Sequence, residues 1–161
     1  MEIYLFRHGI AENAAAGEPD SSRKLTDEGK EKTAAVAKLA REAEVRPSAI
    51  ISSPYVRAME TARIAARELG FEGKLITAPE LVPHGTPENV WNVIRERRED
   101  DSILLAGHEP LLSHMVSYLL ASPALRVEMK KSALVRIDID SLRGTPHGIL
   151  RWMLIPKLAN C

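Results

Sequence analysis

Short apolar runs alternate with longer amphipathic segments along most of this chain. Three runs predict buried strands because they carry few or no polar residues on either face: residues 3–6, 49–52 and 102–106. Residues 74–77 predict a weaker strand. Between them, apolar residues recur every three or four positions, as in helices that bury one face. The predicted helices span residues 26–44, 54–69, 87–98 and 110–120.

Residues that cap helices stand at the predicted helix ends. Thr26 is predicted to be the N-cap of the first helix. Pro54 is predicted to be the first residue of the second helix, and Gly70 its C-terminal stop. The first helix is predicted to bury one stripe of side chains: Thr33, Val36, Leu39, Ala40 and Ala43.

The last quarter of the chain changes to a two-residue alternation. Residues 133–139 and 148–155 flank a turn-rich segment, which predicts an antiparallel hairpin at the sheet edge. The strand–helix alternation before it predicts an α/β fold, a three-layer αβα sandwich with a mostly parallel sheet. A chain of 161 residues is expected to form a single domain, 1–161.

Composition narrows the range of partners. The chain has 22 Lys and Arg against 22 Asp and Glu, so it lacks the basic excess of a nucleic-acid or anionic-membrane surface. Its one cysteine, Cys161, cannot form an internal disulfide and is interpreted as incidental rather than catalytic. No apolar window approaches the ~20 residues of a membrane span. These features predict a cytoplasmic protein.

Cationic and imidazole side chains follow three of the predicted strands. Arg7-His8-Gly9 follows the first, Arg57 lies in the first turn of the helix after the second, and His108 follows the fourth. In such sheets, ligands bind beyond the carboxyl ends of the strands, where helix N-termini favour anions. Together these residues predict a pocket for a phosphoryl group.

Each of these residues alone also has an ordinary explanation. Arg7 could be a surface ion-pair partner, Arg57 could pair with Glu60 on its own helix, and His108 could cap the helix that follows it. Their joint occurrence at three strand ends favours the phosphoryl pocket.

Four sequence blocks, in order along nearly the whole chain, resemble the histidine phosphatase superfamily, which has the phosphoglycerate-mutase-like fold. They are Leu5-Phe6-Arg7-His8-Gly9, Leu25-Thr26-x-x-Gly29, Ser52-Ser53-Pro54-x-x-Arg57-Ala58-x-x-Thr61 and Gly107-His108. The resemblance implies that His8 is the nucleophile and becomes transiently phosphorylated. It also implies that Arg7, Arg57 and His108, together with Gly9, bind the phosphoryl oxygens. No metal or cofactor is implied.

A proton donor for the leaving group is less well defined. Glu80 follows the third strand, where the superfamily usually carries its acidic donor. The alternative is that Glu80 is a surface carboxylate. His84 is a weaker candidate in the same segment.

The remaining candidates have weaker claims on the site. His114 is interpreted as a packing residue or a support for the pocket, and His147 as part of the hairpin loop. Arg23, with Ser21 and Ser22, could add a phosphate contact or simply be solvated.

The predicted site lacks a covering domain. Only residues 78–87 separate the third strand from the next helix, too few for the helical lid insertion of many superfamily members. With the compact length, this makes the chain most similar to bacterial SixA-type phosphohistidine phosphatases, which implies a phosphorylated protein, a phosphohistidine carrier domain, as substrate. Two alternatives stay open: a phosphatase of a small phosphorylated metabolite, and a phosphate-binding module without turnover.

Overall fold

The computed structural model describes residues 1–160 and contains a six-stranded sheet of order β3-β2-β4-β1-β5-β6. The strands are β1 (Glu2–Arg7), β2 (Ala49–Ser52), β3 (Ile76–Thr77), β4 (Ser102–Gly107), β5 (Leu134–Asp138) and β6 (Ile149–Leu154). The helices are α1 (Asp27–Glu42), α2 (Val56–Leu69), α3 (Pro87–Glu96), α4 (Leu111–Leu119) and α5 (Pro156–Ala159). Within residues 1–160, none of them is long and apolar enough to cross a membrane.

Helices cover both faces of this sheet. Ile3 and Leu5 of β1 belong to the core shared with α3 and α4, whereas Tyr4 and Phe6 belong to the core shared with α1 and α2. Burial on both faces explains why the central strands are continuous apolar runs. The first four strands pair in parallel, and β5 and β6 are antiparallel. The predicted αβα sandwich with an antiparallel edge hairpin is confirmed.

The first helix is shorter than predicted. It ends before Ala43, which is exposed, and Leu39 is only half-buried. Glu44 adopts a left-handed backbone conformation (φ 61°) that turns the chain. The N–H of Val45 then donates to the carbonyl oxygen of Ala40 (3.0 Å), and the Val45 side chain is buried. The buried position predicted for Ala43 is therefore taken by a residue beyond the helix.

The second helix begins two residues later than predicted. Tyr55 rather than Ser53 is its N-cap, and the first helical residue is Val56 rather than Pro54. The Ser53 hydroxyl oxygen accepts the Tyr55 N–H (3.3 Å), which fixes the approach to the helix. Its predicted end is correct, because Gly70 adopts the left-handed conformation (φ 70°) that glycine tolerates.

The carboxyl ends of three neighbouring strands lie together at one end of the sheet. Arg7 at the end of β1 is the register partner of Gly107 at the end of β4. Ser52 at the end of β2 is the partner of Ala106, also in β4. The residues that follow β1, β2 and β4 therefore lie side by side.

Candidate active site

His8 lies at the junction of β1 and β4 with a fixed orientation. Its N–H donates to the carbonyl oxygen of Gly107 (3.0 Å), and the residue is 7% exposed. Its Nδ1 lies 2.7 Å from the carbonyl oxygen of Gly9. Because that oxygen can only accept, Nδ1 carries the proton and Nε2 keeps its lone pair in the neutral ring. Nε2 accepts a hydrogen bond from Nε of Arg57 (3.3 Å).

The surroundings of His8 keep its imidazole neutral. Burial lowers the pKa of His8 to about 4, and the nearby charges of Arg57, Arg7 and Lys131 also lower it, against the hydrogen bond to Gly9. At neutral pH the ring is therefore neutral with its lone pair on Nε2, the form that a nucleophilic histidine requires.

Arg57 lies in the first turn of α2 and is 4% exposed. Its Nη1 donates to the carbonyl oxygen of Asp20 (2.8 Å), and its Nη2 to the carboxylate of the same residue (2.9 Å). The guanidinium also lies over the Tyr55 ring, 5.1 Å from its centroid. Glu60, the partner considered from sequence, instead accepts the N–H of Leu25 (2.7 Å). Arg57 therefore links His8 to Asp20.

His108 follows β4 and faces His8, with ring centroids 5.1 Å apart. Its Nε2 lies 2.8 Å from the hydroxyl oxygen of Ser53, which also accepts the Tyr55 N–H. Since no other acceptor for the Ser53 hydroxyl occurs among residues 1–160, its proton is best placed on the bond to Nε2. Nδ1 of His108 then carries a proton.

Burial also controls the charge of His108. The residue is 1% exposed, and its burial lowers its pKa to about 3, with His8 and Arg57 acting in the same direction. His108 is therefore a neutral hydrogen-bond donor at neutral pH.

Two buried donors at this site have no partner within residues 1–160. They are Nδ1 of His108 and Nε of Arg7. Arg7 donates through Nη1 to the carbonyl oxygen of Met129 (2.6 Å), and burial lowers its pKa. Buried donors without acceptors are rare in folded proteins. Two of them beside His8 are the arrangement that an oxyanion would satisfy.

Gly9 allows the end of β1 to pack against the start of α1. A Cβ atom there would lie 2.6 Å from Oγ1 of Thr33 and 2.8 Å from the carbonyl oxygen of Gly29. The Gly9 N–H donates to Oγ1 of Thr61 (3.2 Å). The structure thus gives Gly9 a packing reason, and its role in phosphate binding stays a prediction.

Glu80 belongs to a 3₁₀ turn, Pro79–Leu81, beside the end of β4. A Cβ on Gly107 would lie 3.5 Å from the carbonyl oxygen of Leu81, so this turn borders the strand end. Glu80 is half-buried, and its carboxylate makes no hydrogen bond or ion pair within residues 1–160. Its role as a proton donor stays a prediction.

The weaker candidates lie around the site or away from it. His84, His114 and His147 are all exposed. Arg23 donates to the carboxylate of Asp20 (2.9 Å), so it supports the residue that binds Arg57. Cys161 lies outside the described residues.

Sequence reasoning missed three residues that contact the central side chains: Asp20, Ser53 and Tyr55. Ser53 stands within the second arginine block and could have been noticed there. The Tyr55 ring meets His108 edge-on at 5.0 Å, a contact that depends on where α2 begins. Asp20 is separated from Arg57 by 37 residues, and no local pattern indicates their contact.

Comparisons with known proteins show the family and the fold of this chain. Residues 3–82 match the model of the histidine phosphatase superfamily, branch 1. An uncharacterized protein of Picosynechococcus, SYNPCC7002_A2622, is 30% identical over 151 residues, 91% of this chain and 90% of that protein. The phosphohistidine phosphatase SixA of Escherichia coli is 25% identical over 158 residues, 97% of this chain and 94% of that one.

A solved structure of the protein histidine phosphatase SixA complexed with tungstate superposes with a TM-score of 0.85. It is 25% identical, and the match covers 98% of this chain and 99% of that one. The matched segment of the family model contains Arg7, His8 and Arg57. The chain therefore belongs to the histidine phosphatase superfamily and is a phosphatase.

Proposed function

We propose that this phosphatase removes the phosphoryl group from a phosphorylated histidine on another protein. The reaction proceeds through a phosphorylated His8. The arrangement of His8 supports this proposal: its Nδ1 proton is held by Gly9, and its neutral Nε2 faces Arg57.

The proposed reaction has two phosphoryl transfers. In the first, the Nε2 lone pair of His8 bonds to phosphorus while the P–N bond to the substrate imidazole breaks, and that imidazole takes up a proton from solvent. In the second, a water oxygen bonds to phosphorus and loses a proton, and the bond to Nε2 breaks. The products are inorganic phosphate and neutral His8.

Three groups would bind the transferring oxygens. Nε of Arg7 and Nδ1 of His108 are buried and free to donate, and Arg57 already reaches Nε2 of His8. Preorganised donors of this kind stabilise the charge that develops in the transition state. Removal of one should lower kcat about a hundredfold or more.

Binding of the phosphoryl group requires an exchange at Arg57. Its terminal nitrogens donate to Asp20, whose side chain is 56% exposed. A dianionic phosphoryl group competes for the same nitrogens, and the short 3₁₀ turn Asp20–Ser22 that carries Asp20 can yield to it.

The short connection between β3 and α3 is the main structural argument for a protein substrate. Residues 78–86 form only the turn Pro79–Leu81, with no lid domain in this segment. A phosphorylated histidine on the surface of another protein can therefore approach the carboxyl ends of the strands. The similarity to SixA, a phosphohistidine phosphatase, supports the same substrate class. The similar SixA structure is a complex with tungstate.

The test compares turnover of a histidine-phosphorylated carrier domain with turnover of a panel of sugar phosphates. We expect preference for the carrier, and an acid-labile, base-stable radiolabel on His8 after brief exposure. His8→Ala should abolish both labelling and turnover, whereas the exposed His147→Ala should change neither. Preference for the sugars would indicate a small-molecule phosphatase. Failure of the wild type on every substrate would indicate a binding module.

A further inference from the structure

A groove runs along the outer side of α4, away from the catalytic side chains. Its volume is about 730 Å³. Its walls are α4, the start of α3 and the segment 121–127, and they include Pro87, His114, Tyr118, Leu125, Arg126 and Val127. We call this feature the α4 groove.

Both long walls of the α4 groove lead to the catalytic pocket. α4 begins three residues after His108, and the N–H of Ser113 in its first turn donates to the carboxylate of Glu109 (2.9 Å). The opposite wall continues to Met129, whose carbonyl oxygen accepts the hydrogen bond from Arg7. Both walls of the groove are thus continuous in the chain with residues of the catalytic pocket.

The surface of the α4 groove is apolar with a cationic border. Leu125 lines the groove and is 39% exposed, so its apolar side chain is accessible to a bound partner. Arg126 is the charged side chain of the lining; it is exposed and makes no hydrogen bond or ion pair within the described residues, whereas Glu128, on the same segment, is paired with Lys130. Among residues 1–160, the groove lining contains no carboxylate. This charge pattern complements a partner that carries acidic side chains.

We infer that the α4 groove binds the protein substrate through apolar and acidic side chains that flank its phosphorylated histidine. The inference rests on the proposed function and adds a docking surface to it. The nine residues of α4 span ~13 Å, which matches about four extended residues of a bound chain. The groove therefore selects the sequence next to the phosphorylated histidine, while the pocket acts on the phosphoryl group.

The experiment uses three synthetic probes with the same P–N bond. They are free phosphohistidine, a peptide in which phosphohistidine is followed by leucines and glutamates, and a matched peptide with lysines in place of the glutamates. Release of inorganic phosphate gives kcat and KM for each. We expect the wild type to favour the acidic peptide by about tenfold in kcat/KM, mainly through KM.

Two groove variants test the surface itself. Arg126→Glu should remove the preference for the acidic peptide, and L125E/R126E should in addition raise KM for both peptides. Both variants should hydrolyse free phosphohistidine within about twofold of the wild type, because these exposed side chains lie outside the pocket. The matched control L158E/R95E changes one exposed leucine and one exposed arginine elsewhere and should leave all three activities unchanged. Melting temperatures verify that each variant is folded.

The outcomes separate this inference from the proposed function. Wild-type hydrolysis of both peptides at equal rates, or equal losses on peptide and free phosphohistidine in the variants, would overturn the docking surface alone. A wild type that hydrolyses small phosphate esters but neither peptide nor phosphohistidine would overturn both.

Discussion

At the scale of single residues, Ser53 determines how His108 can serve an anion. The Ser53 hydroxyl bonds to Nε2 of His108 at 2.8 Å and leaves Nδ1 as the free donor. Without that hydroxyl, the neutral ring can take the other tautomer and present a lone pair to the phosphoryl oxygens. Orientation of a functional histidine by a neighbouring hydrogen bond is usual at such sites.

We therefore expect Ser53→Ala to lower kcat by about tenfold to a hundredfold, the scale of a lost oxyanion donor or less. Nitrogen NMR should show a changed tautomer of His108, which a purely structural defect would not produce. Ser53→Thr should restore the tautomer and much of the rate. Ser102→Ala is the matched control, because Ser102 is also buried but lies at the other end of β4, and its hydroxyl has no partner within residues 1–160. An unchanged tautomer in Ser53→Ala would contradict the assignment.

The meeting of four site residues was predictable from sequence, because each follows a buried apolar strand or opens a helix at the carboxyl ends of the strands. They are Arg7, His8, Arg57 and His108. The partners of those residues were not predictable. Asp20 belongs to a polar segment without periodicity, and only the folded chain brings it to Arg57.

At the scale of elements, the 3₁₀ turn Asp20–Ser22 places Asp20 against Arg57. Asp20 is oriented by Arg23, and this hydrogen bond together with the charge of Arg57 lowers the pKa of its carboxyl, so it is ionised at neutral pH. The Asp20 side of this ion pair is exposed to solvent, and solvent-screened ion pairs contribute at most about 1 kcal/mol. We expect Asp20→Asn to tighten tungstate binding by about two- to fivefold.

Calorimetric titration with tungstate measures this effect. Asp27→Asn is the control, because Asp27 is an exposed acid at the start of α1 that lies 3.9 Å from Lys30. Weaker tungstate binding by Asp20→Asn would show that the carboxylate organises Arg57 rather than competing for it.

Strands were predicted correctly from sequence where burial alone determines the pattern of apolar residues. β2 was predicted to the residue, since four successive apolar or small residues are buried there. Helix ends were less predictable, because they depend on local backbone geometry. Glu44 in its left-handed conformation ends α1 early, and the contact between Ser53 and Tyr55 delays α2. Neither feature has a distinctive residue such as glycine to indicate it.

At the scale of the whole molecule, two buried neutral histidines make stability depend on pH. The pKa of His8 is lowered to about 4 and that of His108 to about 3, both below the ordinary value of 6.5 that applies in the unfolded chain. The unfolded chain therefore binds protons more readily than the folded one below pH 6.5. Stability from these groups is complete above that pH and declines as the pH falls towards 4 and below.

We expect the free energy of unfolding to fall between pH 6.5 and 4, with His8 contributing roughly 3 kcal/mol of the loss. Denaturant titrations at several pH values measure this decline. The variant H8N/H108N should flatten it, whereas His147→Asn, which changes an exposed residue, should retain it. An equally steep decline in H8N/H108N would assign the pH dependence to other groups.

The hydrogen bonds between Asp20 and Arg57 have a further consequence for the catalytic cycle. When phosphate leaves after hydrolysis, the carboxylate of Asp20 can bind Arg57 in its place. The buried guanidinium is then not left without an anionic partner. In the proposed cycle, product release is therefore an exchange of one anion for another. In that cycle, a side chain of the chain itself thus clears the site between turnovers.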